Sequence, residues 1–228
     1  MNETILQALA IIPALVIAIV FHEVAHGWVA LLLGDPTAKE RRRLSLNPVR
    51  HVDPFGTLIL PGVLALTGAP VFGWAKPVPV IKERLNNPRF GMMAVAAAGP
   101  VTNFVLAGVG AVLLGLLAGS FTASPGAGAL FAVTALQYFI IINVFLALFN
   151  LLPIPPFDGS HIVEGLLPER AARAYEKLRP FGFPLLFIML LVIPWLFPGL
   201  GIVENVVMPP VAWVRGQYLG LAEMIAGF

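Results

Sequence analysis

The chain has 228 residues, 58% of them hydrophobic and only 11% charged, against about 25% charged in an ordinary soluble domain. With a mean hydropathy of +0.89, this balance excludes a soluble nucleic-acid binder, a disordered tail and an acidic solvating domain, and it points to an integral membrane protein. Cysteine is absent, which excludes disulfides, thiolate nucleophiles and Cys-ligated metals.

In chain order, Ile5 to Leu33 carries no Lys or Arg and stops at Gly34-Asp35-Pro36, longer than the roughly 20 apolar residues a span requires. Its length and the lack of a basic leader argue against a cleavable signal peptide. A first basic stretch follows, with Lys39, Arg41, Arg42, Arg43 and Arg50. Phe55 to Gly73 contains Gly56, Pro61, Gly62, Gly68 and Pro70, a poor composition for a full span, so it is expected to dip into the bilayer and return. Lys76-Pro77-Val78-Pro79-Val80 reads as an extended edge strand, one that could hold a substrate by edge pairing. Lys76, Lys82, Arg84 and Arg89 form the second basic stretch.

No charge occurs from Phe90 to Phe157, room for two helices with a turn at Ser124 to Gly128. Arg170, Arg173, Lys177 and Arg179 form the third basic stretch. Pro180 to Val203 is apolar but broken at Pro194 and Pro198-Gly199, and the tail from Val206, with Arg215 and Glu223, spans or lies at the interface. The expected architecture is an all-α polytopic membrane protein of about five to six membrane helices. It is one embedded domain over 1–228, with a core at about 5–165 and C-terminal helices at about 180–228. Because cytoplasmic loops carry the excess of Lys and Arg, all 14 of them are expected on the cytoplasmic face of a cell membrane. A final pair of crossings would bring Arg215 back to that face. The basic loops would contact anionic lipids, Arg41-Arg42-Arg43 among them.

The chemistry begins at His22-Glu23-Val24-Ala25-His26. Histidines four apart on a helix share one face; they can occupy two positions around one zinc while Glu23 reaches a water as general base. Ionisable groups inside a membrane helix are costly and usually functional. The third ligand must be a carboxylate, His51 or His161. Asp158, after the Pro-rich Pro153-Ile154-Pro155-Pro156-Phe157, reads either as that ligand or as the N-cap of the next helix. His51 fits a loop hydrogen-bonder better than a ligand, and His161 is a candidate neighbour of the site. Asn103, in an apolar helix, suggests an interhelical hydrogen bond. Asn150 lies close enough in sequence to Asp158 to serve a substrate carbonyl or its oxyanion.

The HExxH of the first apolar helix, together with Asn150-x-x-Pro153-x-Pro155-x-x-Asp158-Gly159 and Gly99-Pro100-x-x-Asn103, resembles the site-2 protease family of intramembrane zinc metalloproteases. Leu46 to Pro54 and Phe72 to Pro79 are similar to its compact prokaryotic branch, without a PDZ or CBS domain. The resemblance covers about residues 15–165. It implies one zinc ligated by His22, His26 and Asp158, and Glu23 as catalytic base. It also implies a transmembrane protein or peptide as substrate, cleaved in regulated intramembrane proteolysis nearer the cytoplasmic face, with no nucleic acid involved. Two rival readings are a membrane zincin of the gluzincin type, with Glu164 as third ligand, and a non-proteolytic scaffold or transporter with a structural metal.

Overall fold

The computed structural model describes residues 3–67, 73–122, 124–197 and 199–227. Among them the chain is helical with no strand: α1 Glu3–Leu32, α2 Thr37–Glu40, α3 Leu60–Thr67, α4 Pro88–Gly119, α5 Ala127–Asn150, α6 Asp158–Leu166, α7 Glu169–Glu176, α8 Gly182–Phe187, α9 Ile193–Leu196 and α10 Met208–Ala226. Four stretches are long and apolar enough to cross a bilayer: Ile5–Leu32, Pro88–Gly119, Ala127–Asn150 and Glu169–Leu196. The expected five to six is therefore approximate.

Helix ends follow local chemistry. α1 closes with Gly34 at φ 105°, while Asp35 N–H reaches the Ala30 carbonyl at 2.9 Å and Gly34 N–H reaches Leu31 at 3.2 Å. That pair of bonds is a Schellman motif, which needs a left-handed residue that glycine supplies without strain. At the start of α4 the Asn87 side chain accepts from Phe90 N–H, with Pro88 in the first turn where its missing N–H costs nothing.

α4 is the central helix, packed against α1, α5, α6 and α10. Small side chains let the helices approach: Ala10, Ala14 and Ala18 are buried along α1, and Ala96, Gly99, Ala107 and Ala111 along α4. Close backbone approach is what drives helix association in lipid, where apolar side chains gain nothing by leaving the acyl chains. Large apolar residues point outward instead, among them Ile5, Leu9 and Ile12 on α1 and Val101, Val105 and Val109 on α4.

Between α1 and α4 the chain enters a π-helical turn at Pro54–Ile59 and then α3. It returns to its starting point: Trp74 N–H donates to the Gly56 carbonyl at 3.1 Å and Lys76 N–H to the His51 carbonyl at 2.8 Å, while Thr57 Oγ1 donates to the Trp74 carbonyl. The two flanks of the segment are thereby hydrogen-bonded to each other. Part of the expected re-entrant run, residues 68–72, lies outside the described residues. Lys76–Val80 is not a sheet strand; it belongs to no helix and pairs with no strand among the described residues.

The C-terminal region departs from expectation. Ile202 packs on the same cluster as Phe157, Leu186 and Met189, so the chain doubles back after α9. α10 then runs parallel to α4. Tyr218 sits against Gly108, Ala222 and Ile225 against Gly115, and Ala226 against Gly119, with Tyr218 Oη bonded to the Phe104 carbonyl at 2.8 Å. Arg215, one turn before Tyr218, therefore lies along the length of α4 and away from its Arg89 end. The expectation that Arg215 joins the basic stretches is not met at the Arg89 end of α4, because Val211 and Ala222 of α10, with Val207 just before it, pack onto α4 and α5.

Candidate metal centre

Two crossing helices and one broken loop build the site. α1 supplies His22 and His26 from one face, their rings 4.6 Å apart and nearly perpendicular. α4 crosses beneath them at Gly99, where an added Cβ would lie 2.5 Å from His22 Cε1 and 2.6 Å from both Nε2 atoms. After α5 the Pro-rich loop turns inward and α6 begins at Asp158, with Phe157 at the cap position and no side-chain cap bond. The N-cap alternative for Asp158 is thereby removed. Gly159 is needed at this turn, since a Cβ there would meet the Leu151 carbonyl oxygen at 2.3 Å.

Asp158 Oδ2 faces His22 Nε2 at 3.1 Å and His26 Nε2 at 3.4 Å. The donor atoms of these three residues all lie within 4.8 Å of one another, the one such group among the described residues. Both other ring nitrogens are engaged. His26 Nδ1 donates to the Val95 carbonyl at 2.7 Å, an oxygen that can only accept. His22 Nδ1 donates to Asn103 Oδ1 at 2.6 Å. The orientation of Asn103 is fixed by its Nδ2, which donates to the Ala18 carbonyl at 3.2 Å and to Asn143 Oδ1 at 2.9 Å. With each Nδ1 engaged on an oxygen, Nε2 is the nitrogen that each ring turns into the site. Asp158 Oδ2 is itself buried without a hydrogen-bond donor. His22 Nε2, His26 Nε2 and Asp158 Oδ2 thus converge on one point, a grouping that could hold a cation. Two imidazole nitrogens and one carboxylate oxygen are a donor set suited to zinc, and ring N–H groups anchored on oxygen are the usual support for such ligands.

Glu23 is held differently. Its Oε2 accepts from Val78 N–H at 2.7 Å. Glu164, the ligand of the gluzincin reading, is turned away from the histidines: Oε1 accepts from Lys82 Nζ at 2.7 Å and Oε2 from Arg179. Burial raises the Glu164 carboxyl, but these two cations outweigh it and hold the pKa below the usual value. Arg179 also lies against His161, its nitrogens 2.7 and 2.8 Å from the ring. Burial first, then that cation, push the imidazole down to about 4. Asn150 donates to the Leu146 carbonyl of its own helix at 2.9 Å. His51 donates from Nε2 to the Ser45 carbonyl at 2.7 Å and fastens a loop.

Two groups escaped sequence reasoning. Asn143 is fully buried and orients Asn103; the available signal was a carboxamide within an uncharged apolar helix. The Val95 carbonyl carries no sequence signal, being common to every residue. Arg43, read as a lipid contact, is buried and donates to the Lys76 carbonyl at 2.6 Å.

Comparison with known proteins agrees with this chemistry. The model of peptidase family M50 matches residues 123–193. The candidate zinc metalloprotease YwhC of Bacillus subtilis is 38% identical over 201 residues, spanning 85% of this chain and 87% of that protein. The candidate zinc metalloprotease Rip2 of Mycolicibacterium smegmatis is 28% identical over 191 residues, 82% of this chain and 70% of its own. No solved structure matches. A likeness of that extent, over a chain with several apolar spans and a His-His-Asp cluster, makes the assignment: this multi-pass membrane protein belongs to peptidase family M50, the site-2 proteases, and is a zinc metalloprotease.

Proposed function

We propose that the protein is an intramembrane endopeptidase that hydrolyses a peptide bond in or beside a transmembrane segment of another membrane protein, in regulated intramembrane proteolysis. The observation that carries this reading is the convergence of three potential ligand atoms, His22 Nε2, His26 Nε2 and Asp158 Oδ2, between helices long enough to cross a bilayer. In this reading one zinc per chain is held by these residues, and the whole chain is a single embedded protease domain. Zinc, when bound, supplies Lewis acidity toward the scissile carbonyl and toward water.

The remaining work falls to the chain. The Val95 carbonyl and Asn103 hold both imidazoles with Nε2 inward. Since Val78 N–H occupies Glu23 Oε2, Oε1 is the oxygen that takes the proton from water and returns it to the leaving amine. Asn150 keeps one amide hydrogen beyond its bond to Leu146 and is the group proposed to face the developing oxyanion. A substrate must be locally unwound, because a helical peptide bond is sterically hidden and its carbonyl is already bonded.

Orientation follows from charge. The first two basic stretches flank a segment whose ends are tied together at Gly56 and Trp74, and Lys or Arg excess marks the cytoplasmic side. The site is then nearer the cytoplasmic face of a prokaryotic cell membrane, with anionic lipids at the exposed basic loops. Role separation tests the assignment. Glu23→Gln should keep its zinc and lose cleavage, whereas His22→Ala, His26→Ala and Asp158→Ala should each lose zinc. A Glu23→Gln protein without zinc contradicts it.

A further inference from the structure

Proline at 77 and 79 leaves the stretch Lys76–Val80 only three backbone N–H groups, at 76, 78 and 80. Two are committed inward: Lys76 N–H to the His51 carbonyl at 2.8 Å and Val78 N–H to Glu23 Oε2 at 2.7 Å. Buried side chains hold the stretch at both ends. Arg43 donates to the Lys76 carbonyl at 2.6 Å, and Asp35, with no exposed surface, accepts from Ile81 N–H at 2.6 Å. Asp35 is itself fixed by Thr37, whose N–H lies 3.0 Å from Oδ1. Between the clamps the Val78 side chain seats on α1 at Gly27, where a Cβ would meet Val78 Cγ1 at 3.0 Å and Leu44 Cδ2 at 2.5 Å.

We propose that residues 76–81 form a positioning strap for the base: Arg43 and Asp35 clamp the strap so that the Val78 amide fixes the carboxylate of Glu23. The proposal rests on Glu23 being the general base and adds the groups that aim it. A bond from a fixed backbone amide to an ionised carboxylate is among the stronger protein hydrogen bonds. It selects one carboxylate oxygen and leaves the other free. It also revises the expectation of edge pairing: with two donors spent and two positions proline, the stretch has one N–H, that of Val80, left to offer an incoming strand.

Two experiments test this without relying on each other. In the first, hydrogen exchange is followed in the peptide covering 76–80, which holds only three amides. The Val78 amide should be protected in the wild type and in Glu23→Gln, whose side-chain oxygen can still accept, and should exchange at least about tenfold faster in Glu23→Ala. Equal protection in Glu23→Ala and wild type overturns the proposal. In the second, Val78→Pro and Val78→Ala are compared on a synthetic single-span peptide interrupted by Gly and Pro. Both lose side-chain packing, and only the first loses the N–H. The Pro variant should show kcat lower than the Ala variant by about 10- to 100-fold, with similar KM and equal zinc per chain. Equal kcat in the two overturns the proposal, yet leaves the protease reading intact as long as Glu23→Gln is inactive. If Val78→Pro does not fold, the exchange comparison decides.

Discussion

Gly99→Ala isolates the metal centre from the fold. The added methyl would sit 2.5 Å from His22 Cε1 and 2.6 Å from both Nε2 atoms, about 1 Å inside ordinary carbon contact distance. Zinc ligands hold their distances within about 0.2 Å, so a displacement of that size breaks the site several times over. The methyl also competes for the space between two nitrogens that zinc would approach to about 2.0–2.1 Å. The cost to the fold is much smaller. Overpacking runs to about 1–3 kcal/mol and the Gly-to-Ala gain within a helix offsets about 1 kcal/mol of it, leaving a net destabilisation of about 0–2 kcal/mol. The expected result is a folded protein with zinc affinity down at least about 100-fold, judged against the 10- to 100-fold typical of disturbing only a ligand's support. Metal analysis of the purified protein after dialysis against buffered zinc, beside a thermal melt, reads both quantities. Gly216→Ala, where a Cβ meets nothing within 4 Å, is the comparison. A Gly99→Ala protein with wild-type zinc would refute the packing argument.

Three further outcomes follow from the same geometry. Asn103→Leu strips the acceptor from His22 Nδ1 and the donor from Asn143 Oδ1, so zinc affinity should fall about 10- to 100-fold while Glu164→Gln, whose carboxylate is engaged by Lys82 and Arg179, retains zinc; the reverse order in metal analysis would revive Glu164 as a ligand. Asp35 titrates below the usual carboxylate value, since bonds from Thr37 and Ile81 outweigh the upward push of burial. Its contribution to stability is therefore full above about pH 4 and is lost as pH falls through the depressed value, so Asp35→Asn should flatten the acid limb of a stability–pH curve, and an unchanged limb would contradict the clamp. Cysteines placed at Lys39, Lys82 and Arg173 in this cysteine-free chain should resist an impermeant thiol reagent added to intact cells; labelling at Lys82 alone would show that the segment after Phe55 crosses.

The His22, His26 and Asp158 cluster was legible because its members carry side-chain chemistry, the two histidines at helical spacing. Two histidines one turn apart in an apolar helix call for a partner, and Asp158 after a Pro-rich break was among the few carboxylates on offer. The supporting structure was less legible because much of it is made of backbone and empty space. Gly99 acts by having no Cβ, Val95 by its carbonyl and Val78 by its N–H, and none of these shows in a residue's type. Arg43 shares a run with exposed Arg41 and Arg42, so its burial depends on the tertiary path that brings Lys76 over it. Lys76–Val80 was read as a strand from its prolines and β-branched residues, but those prolines remove the donors a ladder needs. The helices of the first two-thirds follow from apolar length; the course of α10 does not, because parallel packing on α4 is set by small residues at matching heights and not by charge.

The most direct test is cleavage by the purified protein in lipid vesicles containing a single-span substrate, with product termini located by mass spectrometry and zinc counted in the same sample. Wild-type protein with one zinc per chain should cut within or next to the span on the side of the basic loops, and Glu23→Gln with the same zinc content should not cut. Cleavage by Glu23→Gln at the wild-type rate, or cleavage only in extramembrane segments far from the span, would contradict an intramembrane protease built on this site.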